Sequence, residues 1–139
     1  MGNQMIDSVI VLRELIADES LWLDSTAVGK RLDASSIDPE TAASQARIAG
    51  RIFAAWDGRH FHYPAFQFEK DGGPRTQTSE LVGALPRDRN GTVGLEAVLW
   101  AFAPDLAFDG KSPAELFAVQ PERIIKEARA RRDGSCDRD

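Results

Sequence analysis

The most constraining stretch of this sequence lies near its carboxyl end, where two helix starts follow each other closely. Ser112 can cap a helix, Pro113 suits the first helical turn, and Glu115 completes an S-x-x-E capping box. Pro121 cannot lie in the interior of that helix, so it predicts the start of another one. The pattern therefore predicts a short helix from Pro113, followed by a longer basic helix from Pro121.

Length and composition restrict the kind of protein that can carry these helices. The 139 residues allow one core of ordinary size, or two small modules that share an interface. With 28% charged residues, 42% apolar residues and a net charge of -5, the composition is that of a soluble globular chain. No apolar run approaches the length of a membrane helix, and the amino-terminal segment lacks a signal-peptide pattern. A cytoplasmic location is expected, and the single cysteine, Cys136, fits a reducing compartment.

Charge is distributed unevenly along the first half of the chain. Residues 1–40 hold three basic and eight acidic side chains, a sum of -5. Residues 41–64 hold Arg47, Arg51 and Arg59 against Asp57, a sum of +2. A contact with nucleic acid is therefore expected from 41–64, with an ordinary solvated surface as the alternative.

The chain begins with an amphipathic pattern over residues 4–17. Met5, Val9, Leu12 and Ile16 recur at helical spacing, with charged residues elsewhere on the helix. Such a leading helix can cover the core of its own chain or pair with a second copy in a dimer. The sequence leaves both possibilities open.

Two short helices are predicted next, from Ser25 to Leu32 and from Pro39 to about Ala49. Asp38 is expected to cap the second of them, Pro39 fits its first position, and an acidic residue in its first turn favours the positive end of the helix dipole. Residues 33–38 form a compact polar connection. The arrangement predicts a helix-turn-helix.

A β-hairpin is predicted to follow. Residues 51–56 and 59–63 are prone to form strands, and Asp57-Gly58 between them favours a two-residue type I′ turn. That turn pairs Trp56 with Arg59, Ala55 with His60, Ala54 with Phe61, Phe53 with His62 and Ile52 with Tyr63. Alternation then assigns Ile52, Ala54, Phe61 and Tyr63 to the core, and Phe53, Ala55, His60 and His62 to a face that meets solvent or a ligand.

Helix, turn, helix and hairpin is the order of a winged helix-turn-helix, whose second helix enters the major groove of DNA. Glutamine can pair with adenine and arginine with guanine, so Gln45 and Arg47 are the expected base readers. Arg51 and Arg59 are expected to meet phosphates. The complete set of candidate DNA-binding residues is Thr41, Ser44, Gln45, Arg47, Arg51, Arg59 and His60.

The second half of the chain is predicted to be a small helical module. A turn-rich link over 69–75 separates it from the first half. A short helix from Thr78 to Leu85 stops at Pro86, and a longer one runs from about Val93 to Phe102 before Pro104. The fold class is therefore mainly α with one small β-hairpin. The expected modules are 1–68 for DNA binding and 76–132 for the helical unit, with a polar tail over 133–139.

Several stretches of this sequence resemble known antitoxins. Gly50 to Phe53, Trp56 to Arg59 and Tyr63 to Phe68 are similar to the excisionase-like winged helix-turn-helix in the amino-terminal half of many bacterial antitoxins. The elements that resemble the Xre/MbcA/ParS toxin-binding domain, across roughly residues 78–132, are Leu85-Pro86, Trp100, Pro104, Leu106, Asp109-Gly110, Ser112-Pro113, Glu115 to Phe117 and Pro121 to Ile124.

The resemblance implies a function. In that family the domain binds a toxin of the RES class, an enzyme that consumes NAD, and helical elements at the antitoxin's carboxyl end block the toxin's active site. The same chains usually repress their own operon, and a homodimer is expected. The alternative is a stand-alone transcriptional regulator without a toxin partner. The toxin-binding residues expected from the resemblance are Lys111, Glu115, Arg123, Lys126, Arg129, Arg131 and Arg132.

Other motifs give weaker indications of a function. Gly110-Lys111-Ser112 lacks the upstream glycine of a phosphate-binding loop, because Asp105 stands there. His60 and His62 share a predicted strand face and could bind zinc, but no third ligand is apparent nearby. No nucleophile has a plausible general base beside it. We therefore expect neither an enzyme nor a metal site nor a cofactor.

Overall fold

A computed structural model describes residues 10–32, 37–70, 72–87 and 91–137, with side chains described as far as residue 132. The chain is mainly helical, as predicted, and has a small antiparallel sheet of three strands where a single hairpin was predicted. No helix within these ranges has the length and apolar character needed to cross a membrane. The helices are α1 (within 10–16), α2 (Ser25–Arg31), α3 (Pro39–Ile48), α4 (Thr78–Ala84), α5 (Leu95–Phe102), α6 (Pro113–Leu116) and α7 (Pro121–Asp137), and the strands are β1 (Trp22–Leu23), β2 (Ala55–Trp56) and β3 (Phe61–Pro64).

The predicted pair of short helices, α2 and α3, is confirmed. The Asp24 carboxylate caps α2 by accepting from the Ala27 N–H at 2.8 Å, and the Asp38 carboxylate caps α3 through the Thr41 N–H at 3.1 Å. Gly29 brings the two helices into close contact. A Cβ atom built on this glycine would lie 1.9 Å from the carbonyl oxygen of Pro39, so no larger residue fits here. The polar connection predicted over 33–38 lies mostly outside the described residues.

The hairpin is present, but its predicted register is wrong. Trp56 pairs with Phe61 and Ala55 with His62, so a four-residue loop over 57–60 replaces the two-residue type I′ turn. The Asp57 carboxylate explains the difference. It accepts hydrogen bonds from the N–H groups of Arg59 at 2.7 Å and His60 at 2.8 Å, which closes a wider loop than Asp-Gly alone would form.

The assignment of Phe53 and Ala55 to a face that meets solvent or a ligand is also wrong. Both residues are fully buried, in the same core cluster as Leu81, Val98 and Phe117 from the second half of the chain. On the other face, Ile52, Ala54 and Tyr63 are buried as expected, whereas Phe61 is only half-buried. Protein therefore packs on both sides of residues 52–55.

Strand β1 was not predicted. Trp22 pairs with Pro64 and Leu23 with Tyr63, which makes β3 the central strand in the order β1-β3-β2. A strand of two residues is too short to show an alternating pattern. Its effect is to place Trp22 within the core and to give the hairpin a third strand.

The buried side chains form two clusters. The smaller one lies between α2, α3 and the sheet, and includes Val28, Ala43 and Tyr63. The larger one draws on both halves of the chain, from Leu12 in α1 to Ala128 in α7. The two predicted modules thus share a core, and their boundaries remain a prediction.

Gln67 joins the hairpin segment to the rest of the chain. This fully buried side chain accepts a hydrogen bond from the Phe53 N–H at 2.9 Å, and its amide nitrogen donates to the carbonyls of Phe53 at 2.8 Å and Pro64 at 3.0 Å. The Gln67 carbonyl accepts from the Thr78 hydroxyl at 2.8 Å. The segment Tyr63 to Phe68 is therefore a structural joint between α4 and the sheet.

The helix starts predicted near the carboxyl end are confirmed. The Glu115 carboxylate accepts from the Ser112 N–H at 2.7 Å and the Ser112 hydroxyl from the Glu115 N–H at 3.3 Å, which completes the capping box of α6. Asp109 and Gly110 precede it with φ angles of 58° and 84°. Helix α7 begins at Pro121 and packs against α4.

Candidate functional site

Two surfaces carry the residues predicted to bind partners, and the first is formed by α3 and the hairpin. Thr41 is exposed, but its hydroxyl is bound to the carboxylate of Asp38, at 3.0 Å from Oδ2. Ser44 is half-buried. Gln45 is exposed, and its side chain makes no hydrogen bond with another described residue. Of these three candidates, Gln45 is therefore the one presented freely to a ligand.

Arg47 is held against the sheet. Its guanidinium carbon lies 3.7 Å from the centroid of the Phe61 ring, and its Nε donates to the Tyr63 hydroxyl at 3.3 Å. The side chain is half-buried and connects α3 to the second strand of the hairpin. This placement gives Arg47 a structural role in addition to the base-reading role expected from the sequence.

Arg51, Arg59 and His60 are exposed, and their side chains make no hydrogen bond or ion pair with the described residues. Two carboxylates, Asp38 and Glu40, lie by contrast at the start of α3. The hydrogen bond from the Thr41 hydroxyl lowers the pKa of Asp38, so this carboxylate stays charged at neutral pH. The exposed arginines that could meet phosphates therefore lie just after the end of α3 and in the hairpin loop.

The hairpin loop is held by Asp57. The pKa of Asp57 is lowered, chiefly by the hydrogen bond from the His60 N–H and also by the His62 side chain, whose Nε2 lies 2.7 Å from the carboxylate. His62 lies in turn edge-on to the Trp22 ring. Because the folded pKa is depressed, the stabilisation is present above the unfolded pKa of about 3.9 and is lost as the pH falls through the lower folded value. The loop is therefore fully stabilised near neutral pH.

The second surface is formed by α7 and the segments packed against it. Most of its predicted toxin-binding arginines are bound within the chain. Arg129 pairs with Glu80 of α4 at 3.3 Å, Arg131 pairs with Asp105 and with Glu127, and Arg132 donates to the Gly83 carbonyl. These contacts attach α7 to α4 and to the turn before α6.

The remaining candidates on this surface differ in whether their side chains are already bound within the protein. Arg123 donates to the carbonyl of Ala107 at 2.6 Å and to the Gln120 side chain at 2.9 Å. Glu115 belongs to the capping box. Lys111 and Lys126 are exposed, and their side chains form no hydrogen bond or ion pair within the described ranges. The two lysines are the predicted residues whose side chains are not bound to other described residues.

Two apolar residues of this surface were not predicted to contact a partner. Leu106 is 94% exposed and Val119 is 72% exposed. Arg123 links their positions, because it binds Ala107, next to Leu106, and Gln120, next to Val119. The signal that could have revealed them is a large apolar residue in a short link between two helices. We call Leu106, Val119 and Arg123 the knob.

Comparison with protein-family models, with curated proteins and with solved structures gave no match. Within the described ranges, no group of three or more His, Cys, Asp or Glu side chains is placed to hold a metal ion. The His62 side chain is bound to Asp57, and the His60 side chain is exposed.

Proposed function

We propose that this chain is a non-enzymatic antitoxin that binds a RES-type toxin through the knob and the neighbouring Lys111, and that it thereby occludes the toxin's active site. The observation that carries the proposal is the exposure of Leu106 and Val119 on either side of a fixed arginine. Arginine is enriched among the residues that contribute most to protein contacts, and exposed apolar groups that lie together mark interaction surfaces. The resemblance of residues 78–132 to the Xre/MbcA/ParS domain supports the choice of partner.

Substitution of both apolar residues, Leu106→Glu with Val119→Glu, tests this proposal. Neither side chain contributes to the core, so the variant should fold normally, while two buried charges in the interface should weaken toxin binding by at least about 100-fold. Titration calorimetry with a purified RES-type toxin measures the affinity, and growth rescue on co-expression measures neutralisation. Ile48→Glu is the matched control, because Ile48 is 77% exposed but lies at the end of α3. Equal binding by both variants would rule out the knob as the contact.

The first half of the chain supports a second role, the repression of its own operon by binding operator DNA. The order β1, α2, α3, β2, β3, with β3 between the other strands, is compatible with a winged helix-turn-helix. The free cations Arg51 and Arg59 would meet phosphates while Gln45 reads a base edge. A stand-alone regulator would show this binding without any toxin partner.

Arg51→Ala with Arg59→Ala should weaken DNA binding and reduce the slope of log affinity against log salt by roughly 2. Toxin binding should be unchanged, because both arginines lie outside the knob. Gel-shift titrations on the upstream region of the gene at several salt concentrations measure the effect. Arg13→Ala, at an exposed position of α1, is the control. An unchanged salt slope in the double variant would show that DNA is not bound through the hairpin side.

A further inference from the structure

A cleft of about 630 Å³ lies between the two halves of the chain. One wall is formed by the end of α3 and the hairpin, and the other by α4 and the residues that lead into α5. Cavities of about 300–1,000 Å³ are typical of sites for small organic ligands. Neither proposed role above makes use of this space.

The charged side chains described in the cleft are both positive. Arg47 and Arg87 are its charged residues, and no carboxylate lies among the described residues that line it. Arg87 is exposed and donates from one nitrogen to the Gly91 carbonyl at 3.2 Å, while Arg47 uses its Nε for Tyr63. Each guanidinium therefore keeps nitrogen donors that are not used by the described residues, and these can bind an anionic group.

The α3 side of the cleft offers an aromatic surface. Trp56 is 51% exposed, although it is a large apolar ring, and its centroid lies 4.7 Å from that of Phe61. Arg47 covers Phe61 from the helix side. An exposed indole beside a cation is suited to stacking against a planar ring, which contributes about 1–3 kcal/mol per nucleic acid base.

The opposite wall adds backbone donors. Helix α5 starts after Gly94, which provides no side-chain cap, and both Gly94 and Leu95 line the cleft. The first N–H groups of a helix have no partner within the helix and favour an anion. They therefore add to the positive character that the two arginines give to the cleft.

From these features we infer that the cleft binds a single nucleotide unit, with its base stacked on Trp56 and its phosphate between Arg87 and the start of α5. The space holds one nucleotide, and Arg87 together with the start of α5 matches one phosphate group better than the row of phosphates along a duplex. Since the cleft is lined from both halves, the bound nucleotide would bridge the DNA-binding and partner-binding parts of the chain.

Titration of the full-length protein with 5′-mononucleotides tests the inference. We expect a saturable change in tryptophan fluorescence, because Trp56 is the most exposed of the three tryptophans among the described residues, together with a rise in melting temperature. Arg87→Gln should weaken binding at least about tenfold, which corresponds to loss of one charge-assisted contact. Arg13→Gln is the control, since Arg13 is exposed on α1, does not line this cleft and has no role in either proposed activity.

Three further ligands distinguish the source of the binding. Inorganic phosphate and adenosine should each bind more weakly than adenosine 5′-monophosphate, because each supplies only one of the two groups. A short single-stranded oligonucleotide that binds while mononucleotides do not would overturn the proposal in favour of a strand-binding groove. Equal losses in Arg87→Gln and Arg13→Gln, or no saturable signal up to about 10 mM nucleotide, would also overturn it. Trp56→Leu should abolish the fluorescence change while the protein remains folded. The Leu106→Glu, Val119→Glu variant should bind nucleotide normally, so this test is independent of the antitoxin proposal.

Discussion

Replacement of Gly29 by alanine is expected to destabilise the chain by more than about 3 kcal/mol, beyond the usual range for overpacking a core. The added methyl group would lie 1.9 Å from the carbonyl oxygen of Pro39, well inside van der Waals contact. That oxygen belongs to the backbone of the first turn of α3, so it cannot move away as a flexible side chain would. Helices α2 and α3 would have to separate, which would open the cluster around Val28 and Tyr63. Urea denaturation followed by circular dichroism measures the loss.

The matched control is Gly83→Ala in α4. A Cβ atom at Gly83 would meet nothing within 4 Å, so the same chemical change there is free of steric conflict. Alanine also favours a helix over glycine by about 0.5–1 kcal/mol, so this variant should be as stable as the parent or slightly more stable. Similar stability of the two variants would show that α2 and α3 are not in close contact.

The second large effect is expected for Gln67→Met, which keeps the length of the side chain but removes its amide. The Phe53 N–H and the carbonyls of Phe53 and Pro64 would then lose partners in a buried environment. An unsatisfied buried group costs about 1–3 kcal/mol, so we expect a total loss of about 3–5 kcal/mol in the free energy of unfolding. Urea denaturation again measures this loss in the free energy of unfolding, because Gln67 joins the hairpin segment to the rest of the chain.

Gln45→Met is the control for this substitution. Gln45 is exposed on α3 and its side chain makes no hydrogen bond with another described residue, so its replacement should change stability by less than about 0.5 kcal/mol. Gln67→Glu adds a sharper test. A carboxylate can replace the acceptor but would face two carbonyl oxygens, and it should therefore be at least as damaging as methionine. A small effect of both Gln67 variants would contradict the role of the amide.

Local rules of helix capping were sufficient to predict much of the helical structure. Asp38, Ser112, Glu115 and Pro121 act within a few residues of where they stand in the sequence, and each appears in its expected role. The register of the hairpin could not be predicted from local rules in the same way. The dipeptide Asp57-Gly58 favours a tight turn, but the Asp57 side chain binds two N–H groups further along and selects a longer loop.

Long-range packing accounts for the other differences. Alternation shows which residues share a side of a strand, but it does not show that a second half of the chain covers Phe53 and Ala55. The basic residues of α7 could likewise be identified in the sequence. Their bonds to Glu80 and Asp105 could not, because these depend on how α7 packs against distant segments. Leu106 and Val119 became candidates only when their exposure was known.

The shared core also has a consequence for the lifetime of the protein in a cell. Because Leu12, Phe53 and Ile125 pack in one cluster, an opening that starts in α1, in the sheet or in α7 exposes apolar groups from both halves. Proteases act on such open forms. A single cut would then remove the proposed partner binding and the proposed DNA binding together, so the two proposed activities would decay at the same rate.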